Sequence, residues 1–179
     1  MRRTLLLLVL LLAGCGSAAI EPLPDARPAE PQSADLGWHE SYPKTGERLV
    51  FGVRSLEVTA DGWSSEISIE NRTGISFEFG DGPPLALGLI LLGDADLETL
   101  DRMTSRDGLL LREPKTIEPR PPDVLGPGET WRATISAPGS LADSAYVRVS
   151  FGPLVAVGER PKEIEQSTVI WITDETYRL

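Results

Sequence analysis

Alternation of apolar and polar side chains dominates the chain from about residue 45 onward. Leu49, Phe51 and Val53 occupy alternate positions, and Leu56 and Val58 then occupy the opposite parity. Because successive side chains of a strand point to opposite faces, this change of parity predicts a bulge near Arg54-Ser55. The same period of two predicts further strands at 63–69, 75–79, 131–135, 145–151 and 168–173.

The stretch 145–151 has the clearest alternation in the chain. One parity holds the apolar residues Ala145, Val147, Val149 and Phe151, and the other holds Tyr146, Arg148 and Ser150. This arrangement predicts a half-buried strand that presents the second set to solvent. The run 85–92 has no polar side chain at either set of alternate positions, so it predicts a short strand that is buried on both faces.

Turn residues separate the predicted strands, because Gly, Pro, Asn and Asp favour turn conformations. They occur at Asp61-Gly62, Asn71-Arg72-Thr73-Gly74, 80–84, Pro127-Gly128 and Pro138-Gly139. Leu97, Leu100 and Met103 are spaced three apart, so 94–103 is the single predicted helix. The run 109–111 predicts another short strand, and four prolines make 113–122 a loop or an edge segment.

These signals amount to about seven to nine strands without any alternation of strands and helices. Many short strands punctuated by turns are typical of two packed sheets. The sequence therefore predicts an all-β, antiparallel β-sandwich with at most one short helix. A closed barrel is the alternative that the same pattern allows.

The first residues follow a different pattern. Met1-Arg2-Arg3 is a positive stretch, and 5–13 is a run of nine residues of which eight are Leu or Val. As a helix this run rises roughly 13 Å, whereas a bilayer core is about 30 Å thick. The run is too short for a permanent membrane span and predicts an export signal over residues 1–14.

Leu12-Ala13-Gly14-Cys15 ends this signal and resembles the lipobox of bacterial lipoproteins at all four positions. The resemblance implies that the Cys15 thiol receives a diacylglyceryl group and that cleavage makes Cys15 the first mature residue. Acyl chains such as palmitate then hold the protein on the cell membrane or the outer membrane, facing the extracytoplasmic side. Gly16 lacks the charge of an Asp that would favour inner-membrane retention. A chance Cys in an ordinary secretory signal is the alternative.

Residues 15–37 differ in composition from the rest of the mature chain. Pro22, Pro24, Pro28 and Pro31 lie among acidic and small residues, and few side chains are large and apolar. Such a segment cannot bury enough surface to offset its ordering entropy, so it predicts a flexible tether before a folded domain at 38–179. A recognition peptide that is ordered by a partner is the alternative.

Charge and composition narrow the classes of function. The chain has 179 residues, with 17 Lys and Arg against 27 Asp and Glu. Removing the 14 leader residues leaves 165, and losing Arg2 and Arg3 takes the net charge from −10 to −12. Nucleic-acid binding needs a positive footprint and is not expected. One Cys and one His leave no disulfide framework and no site that needs two imidazoles.

Three segments are similar to the immunoglobulin-like ectodomains of bacterial lipoproteins. They are Ser65-Glu66-Ile67-Ser68-Ile69-Glu70-Asn71-Arg72-Thr73, Leu125-Gly126-Pro127-Gly128-Glu129 and Tyr146-Val147-Arg148-Val149-Ser150-Phe151. In those domains a strand ending in Asn-x-Thr or Asn-x-Gly precedes a hairpin, and a Leu-x-Pro-Gly-Glu turn precedes a strand. The resemblance implies an immunoglobulin-like sandwich, and it supplies no catalytic or ligand-binding residue.

Candidate catalytic and metal-binding residues are sparse. His39 is the only imidazole, and without a Gly-x-Ser-x-Gly elbow it is interpreted as a solvated side chain at the tether boundary. Asp94-Ala95-Asp96-Leu97-Glu98 has the alternate acids of a calcium loop. Thr99 and Ser105 replace the Gly and Glu of such a loop, so helix capping is the favoured interpretation.

Two further motifs have competing interpretations. Asn71-Arg72-Thr73 matches an N-glycosylation acceptor, and we interpret it as turn chemistry because Asn favours turns. Trp63, Trp131 and Trp171 occupy strand positions and are expected in the core, whereas an exposed cluster would indicate a glycan-binding face.

The sequence thus predicts a monomeric, membrane-anchored envelope lipoprotein whose sandwich is a non-catalytic binding or scaffolding module. Its expected partners are the membrane, through Cys15, and an envelope protein or a glycan. No cofactor, no metal and no nucleic acid is expected. One alternative is a secreted enzyme that acts on glycans through paired carboxylates. Another is a ligand-sensing subunit of an envelope complex.

Overall fold

A computed structural model describes residues 27–46, 48–80, 86–93 and 111–179, and every regular element within them is a strand. Eight of the twelve strands have four or more residues, which agrees with the seven to nine expected. These are β1 (Gln32–Tyr42), β2 (Leu49–Val58), β3 (Gly62–Asn71), β4 (Ser76–Phe79), β5 (Gly88–Leu92), β9 (Thr130–Pro138), β10 (Tyr146–Val157) and β11 (Thr168–Ile172). The short ones are β6 (Leu111–Arg112), β7 (Thr116–Glu118), β8 (Val124–Leu125) and β12 (Tyr177–Arg178).

The first sheet has five antiparallel strands in the order β1-β2-β3-β9-β7. The pairing of β2 with β3 shifts register between Val53 and Ser55, which confirms the bulge predicted from the change of parity. The β2–β3 hairpin closes with the amide of Thr59 donating to the carbonyl of Gly62 at 2.8 Å. The turn predicted at Asp61-Gly62 is therefore confirmed.

The second sheet has seven strands and is organised around β10. Its order is β6-β5-β10-β4-β8, and β11 and β12 also pair with β10. The first half of β10 pairs with β5 and β12, and its second half pairs with β4. The two sheets are separate, so the architecture is a sandwich rather than the alternative closed barrel.

Aromatic side chains join the two sheets in the core. Phe51 on β2 lies 5.2 Å from Phe151 on β10 and stacks on Trp171 of β11 at 5.8 Å between ring centroids. Phe79 on β4 meets Trp131 on β9 edge to face at 5.2 Å. Because each contact joins residues of opposite sheets, burial of these rings stabilises the sandwich as a whole.

The folded body begins earlier than the boundary predicted at residue 38. Strand β1 starts at Gln32, and Pro28 already bridges Ala142. The predicted tether of 15–37 is therefore wrong in its last part, while residues before 27 lie outside the described ones. Pairing of β1 with β2 depends on backbone hydrogen bonds, which the polar, proline-rich composition does not reveal.

The predicted half-buried character of β10 is also wrong. Val147, Val149 and Phe151 face the core as expected, but Arg148 and Ser150 on the opposite face are only 1% and 0% exposed. That second face belongs to a small apolar cluster in which Ile90 and Leu92 are buried. Both faces of β10 are thus covered around Arg148.

Several other predicted elements are found where the structure describes the chain. The buried strand predicted at 85–92 is β5, and the proline-rich segment contains β7 at the edge of the first sheet. Strand β6 begins at Leu111, the last residue of the strand predicted at 109–111. The helix predicted at 94–103 lies outside the described residues.

Candidate functional site

A groove of about 390 Å³ crosses the face of the first sheet that is turned away from the core. We call it the outer groove. Side chains from all five strands of the sheet contribute to it, among them His39, Arg54, Glu66, Ser68, Glu118 and Arg132. These positions alternate with core residues such as Val53, Ile67 and Ala133, so the same period of two that builds the core also sets the groove.

One row of the groove runs straight across four neighbouring strands. His39 on β1 pairs with Gly52 on β2, Gly52 pairs with Ser68 on β3, and Ser68 pairs with Arg132 on β9. We call these four residues the central row. Cross-strand partners lie about 4.5–5.5 Å apart on the sheet face, so the side chains of Ser68 and Arg132 are within reach of each other, while Gly52 separates Ser68 from His39.

Gly52 forms a notch in the middle of the central row. A Cβ built on Gly52 would lie 2.4 Å from the hydroxyl oxygen of Ser68, which is closer than real contacts allow. Any other residue would therefore push the Ser68 hydroxyl aside. The Ser68 hydroxyl therefore lies over Gly52, and the glycine leaves room for it between His39 and Arg132.

A bulge in β1 sets the position of His39. The register of β1 with β2 shifts between Asp35 and Trp38, and Gly37 has a φ of +59°, a conformation that favours glycine. After the bulge Trp38 points into the core and His39 points to the groove. The Nδ1 atom of His39 lies 3.0 Å from the carbonyl oxygen of Gly37. A carbonyl only accepts, so Nδ1 donates the proton there.

Most charges on this face of the sheet neutralise one another. Arg54 pairs with Glu66 at 3.2 Å, and Arg72 donates to both carboxylate oxygens of Glu70 at 2.8 and 3.0 Å. The hydrogen bonds from Arg72 lower the pKa of Glu70, and the nearby charge of Arg132 lowers it further. Arg132 itself makes no hydrogen bond or ion pair through its side chain with the described residues, and it stays exposed.

The carboxylate of Glu40 on β1 makes several hydrogen bonds to the C-terminal segment, which runs from β11 to β12. Glu40 accepts a hydrogen bond from Trp171 Nε1 at 2.8 Å and from the amides of Asp174 and Glu175 at 2.9 Å each. Lys44 forms an ion pair with Asp174 and lies over the ring of Trp171, and the bond to Asp174 raises the pKa of Lys44. This cluster links the first sheet to the second and plays a structural role.

Asn71 is fully buried and connects two of the motifs identified in the sequence. Its side-chain amide donates to the carbonyls of Ile75, Leu125 and Gly126 at 2.8–3.0 Å, and its oxygen accepts from Thr73. This confirms the interpretation as turn chemistry. The Leu125-Gly126-Pro127-Gly128-Glu129 turn and the Asn71 turn thus support each other, and both lie away from the outer groove.

The structure places the other candidate residues as follows. His39 is exposed as expected, but it lies inside β1 rather than at a tether boundary. Cys15 and Asp94-Ala95-Asp96-Leu97-Glu98 lie outside the described residues. The predicted core positions of Trp63 and Trp131 are confirmed at 4% and 5% exposure, and Trp171 is partly buried against the core. Trp38 is buried as well.

Sequence reasoning did not identify Gly52, Ser68 or Arg132 as members of one site. Their spacing along the chain shows only that each lies on the outward parity of its strand. A local signal existed for Gly52 alone, because glycine within a strand marks a bulge or a close approach. Pairing of β9 with β3 was needed to bring Arg132 beside Ser68.

The described residues contain neither a cluster of metal ligands nor a membrane-spanning helix. No three His, Cys, Asp or Glu side chains in this part of the chain lie close enough together to hold a metal ion. In the same part of the chain, no helix is long and apolar enough to cross a membrane.

Comparison with protein-family models, curated proteins and solved structures finds no match for this chain. The resemblance to lipoproteins with immunoglobulin-like ectodomains therefore stays a prediction from the residues that carry it.

Proposed function

We propose that this protein is a lipid-anchored protein of a bacterial cell envelope, and that its sandwich is a non-catalytic binding module on the extracytoplasmic side. The observation that carries the proposal is the order of three signals: a positive start, a short apolar run and the complete lipobox ending at Cys15. Each signal alone is common, but an export leader that ends in this motif has one well-defined chemical use.

The outer groove supports a binding role. It lies on a sheet whose backbone is held by pairing on both sides of β2, β3 and β9, so its side chains have a fixed spacing. Groups on several strands then act together without a large ordering cost when a ligand arrives. Arg132 and Ser68 supply hydrogen-bond donors that the described residues leave unused.

An enzyme that acts on glycans is the second candidate, and one observation favours it. Glu66 and Glu118 share a row of the groove, with Thr134 between them. Two strand spacings separate their backbones by about 9–10 Å, which is compatible with the separation of carboxyl groups in inverting glycosidases. Against this, Glu66 already forms an ion pair with Arg54, and the described residues that line the groove include no tryptophan to stack on a sugar.

The anchor is tested by substituting the single cysteine. Cells expressing the full chain or its Cys15→Ser variant are fed a clickable fatty acid and fractionated. The full chain is expected to carry label and to sediment with membranes, and the variant is expected to lose both properties. Ser17→Ala, which leaves the lipobox intact, is the matched control and should behave as the parent does. An unlabelled parent, or a variant that still sediments with membranes, contradicts the proposal.

The catalytic alternative is tested with the same protein purified in detergent. It is assayed against peptidoglycan and common glycosides, together with Glu66→Gln and Glu118→Gln. The binding role predicts no turnover by any of the three proteins. Turnover that a single Gln substitution abolishes would establish the enzyme instead.

A further inference from the structure

The two ends of the central row carry different kinds of hydrogen-bonding group. At one end, the guanidinium of Arg132 has no hydrogen bond or ion pair with the described residues, and the adjacent Ser68 hydroxyl has none either. At the other end, the Nδ1 proton of His39 is directed to the carbonyl of Gly37. The Nε2 atom of the neutral ring is then an acceptor. The row thus offers donors at one end and an acceptor at the other.

The guanidinium of Arg132 is the group that would hold an anionic part of a ligand at its end of the row. Arg54 and Arg72 form ion pairs with glutamates, whereas the guanidinium of Arg132 makes no hydrogen bond or ion pair with the described residues, although its charge also acts on Glu70. Its planar guanidinium matches a carboxylate through two parallel hydrogen bonds. Glu118 lies in the next row, diagonal to Arg132, and makes the groove close to neutral overall. Binding must therefore come from contacts rather than from long-range attraction.

The length of the row fits a short segment of extended chain. Three strand spacings of about 4.8 Å separate His39 from Arg132, which gives roughly 14 Å between their backbones. An extended peptide advances about 3.3 Å per residue, so four residues span this distance. A peptide end also supplies both required groups, since its terminal carboxylate suits Arg132 and Ser68 and its backbone N–H groups suit an imidazole acceptor.

We propose that the outer groove binds the carboxyl-terminal end of an extended peptide. The terminal carboxylate contacts Arg132 and Ser68, the chain crosses the notch at Gly52, and a backbone N–H about three residues earlier donates to Nε2 of His39. This inference rests on the proposed binding role of the sandwich and does not depend on the lipid anchor. The occupant is defined by its free carboxylate, which distinguishes it from an internal loop of a folded partner.

The test uses the isotope-labelled full chain in detergent micelles and two probes, N-acetyl-tetra-alanine and its C-terminal amide. The free acid is expected to shift the amide signals of Gly52, Ser68 and Arg132 in a saturable way. The amide, which lacks the carboxylate, is expected to bind about tenfold more weakly or worse, because charge-assisted hydrogen bonds are lost. Equal affinity for the acid and the amide overturns the proposal.

Two variants and one control identify the contacts. Arg132→Gln is expected to weaken binding of the free acid at least about tenfold. Gly52→Ala is expected to weaken it several-fold, because the new Cβ displaces the Ser68 hydroxyl. Arg178→Gln removes the same charge from the second sheet and should bind as the parent does.

Arg132 is exposed, so its variant is expected to fold, and an unchanged denaturation midpoint verifies this. Unchanged affinity in Arg132→Gln contradicts the assignment. The membrane fractionation of Cys15→Ser is read separately, so failure of peptide binding and failure of the anchor are distinguishable.

Discussion

At the scale of single residues, the buried side-chain amide of Asn71 stabilises two turns at once. Its NH₂ group donates to three backbone carbonyls, and its oxygen accepts hydrogen bonds from the amide and the hydroxyl of Thr73. Every hydrogen-bonding atom of the amide is therefore used, and its full burial also keeps it away from any modifying enzyme in the folded state.

Asn71→Ala is expected to destabilise the protein by about 2–4 kcal/mol, because buried carbonyls lose their donor. Asn71→Asp has the same shape but directs a carboxylate oxygen at those carbonyls, so it should destabilise at least as much. Urea denaturation of the full chain measures both effects. Arg72→Ala, which removes a surface ion pair, serves as a control and should cost less than about 1 kcal/mol. A loss below that of the control in Asn71→Ala would show that the network contributes little.

Arg148 is the residue at which sequence reasoning failed most clearly. The alternation along β10 placed it on a solvent face, yet it is 1% exposed. Its guanidinium donates to the backbone carbonyls of Thr173 and Asp174. Burial lowers the pKa of Arg148, and the carboxylates of Asp174 and Glu40 oppose this. The carbonyls that make burial tolerable come from the C-terminal segment, which no local pattern could reveal.

At the scale of elements, the C-terminal segment from β11 to β12 depends on contacts with distant strands. The amide of Thr173 donates to the carbonyl of Val149, and the hydroxyl of Thr173 accepts from the amide of Val149. The carbonyl of Thr173 accepts from the guanidinium of Arg148, while Glu40 on the other sheet accepts from the amide of Asp174 in the following turn. Tyr177 donates to Gln32 at 2.9 Å. Strand β1 and the C-terminal segment thus stabilise each other.

Glu40→Gln is expected to loosen this segment. Both carboxylate oxygens of Glu40 accept hydrogen bonds, so the new NH₂ group would face an N–H donor and lose one of them. We expect amide exchange at Asp174 and Glu175 to accelerate and the free energy of unfolding to fall by about 1–2 kcal/mol. Hydrogen-exchange mass spectrometry and urea denaturation measure the two effects. Lys44→Gln is the matched control, since its exposed ion pair is worth less than about 1 kcal/mol. Unchanged exchange in Glu40→Gln would show that β12 alone holds the segment.

At the scale of the whole molecule, we expect the proposed anchor and the sandwich to act independently of each other. Among the described residues, the first contact of the body is made by Arg27, whose carbonyl accepts from the amide of Asp143, and the lipobox cysteine lies outside them. An acidic body does not favour contact with an anionic lipid surface. In the proposed function, the anchor determines the location of the protein and the sandwich binds the partner.

This separation predicts that Cys15→Ser changes location without changing stability. The urea midpoint of the soluble variant should match that of the detergent-extracted parent within the error of the measurement. Both are compared in the same detergent, so that its effect on the sandwich is shared. A midpoint that falls clearly on substitution would mean that the lipid or its attachment region contributes to the fold.

The sequence by itself determined seven of the longer strands, the bulge near Arg54-Ser55, the hairpin at Asp61-Gly62 and the core positions of Trp63 and Trp131, whereas β1 was not predicted. These features are local, since the alternation of a strand and the preferences of turn residues depend on near neighbours. The anchor at Cys15 is likewise a prediction from adjacent residues, and it awaits the fractionation experiment.

Only the tertiary structure decided the partners of the strands, the burial of Arg148, the early start of β1 and the central row of the outer groove. His39, Gly52, Ser68 and Arg132 belong to four strands, and their alignment depends on the order and register of those strands. Backbone hydrogen bonds between distant segments set that register. Because almost every residue has the same backbone donor and acceptor, the sequence does not show which segments these bonds join. A site composed across a sheet is therefore visible only once the sheet has formed.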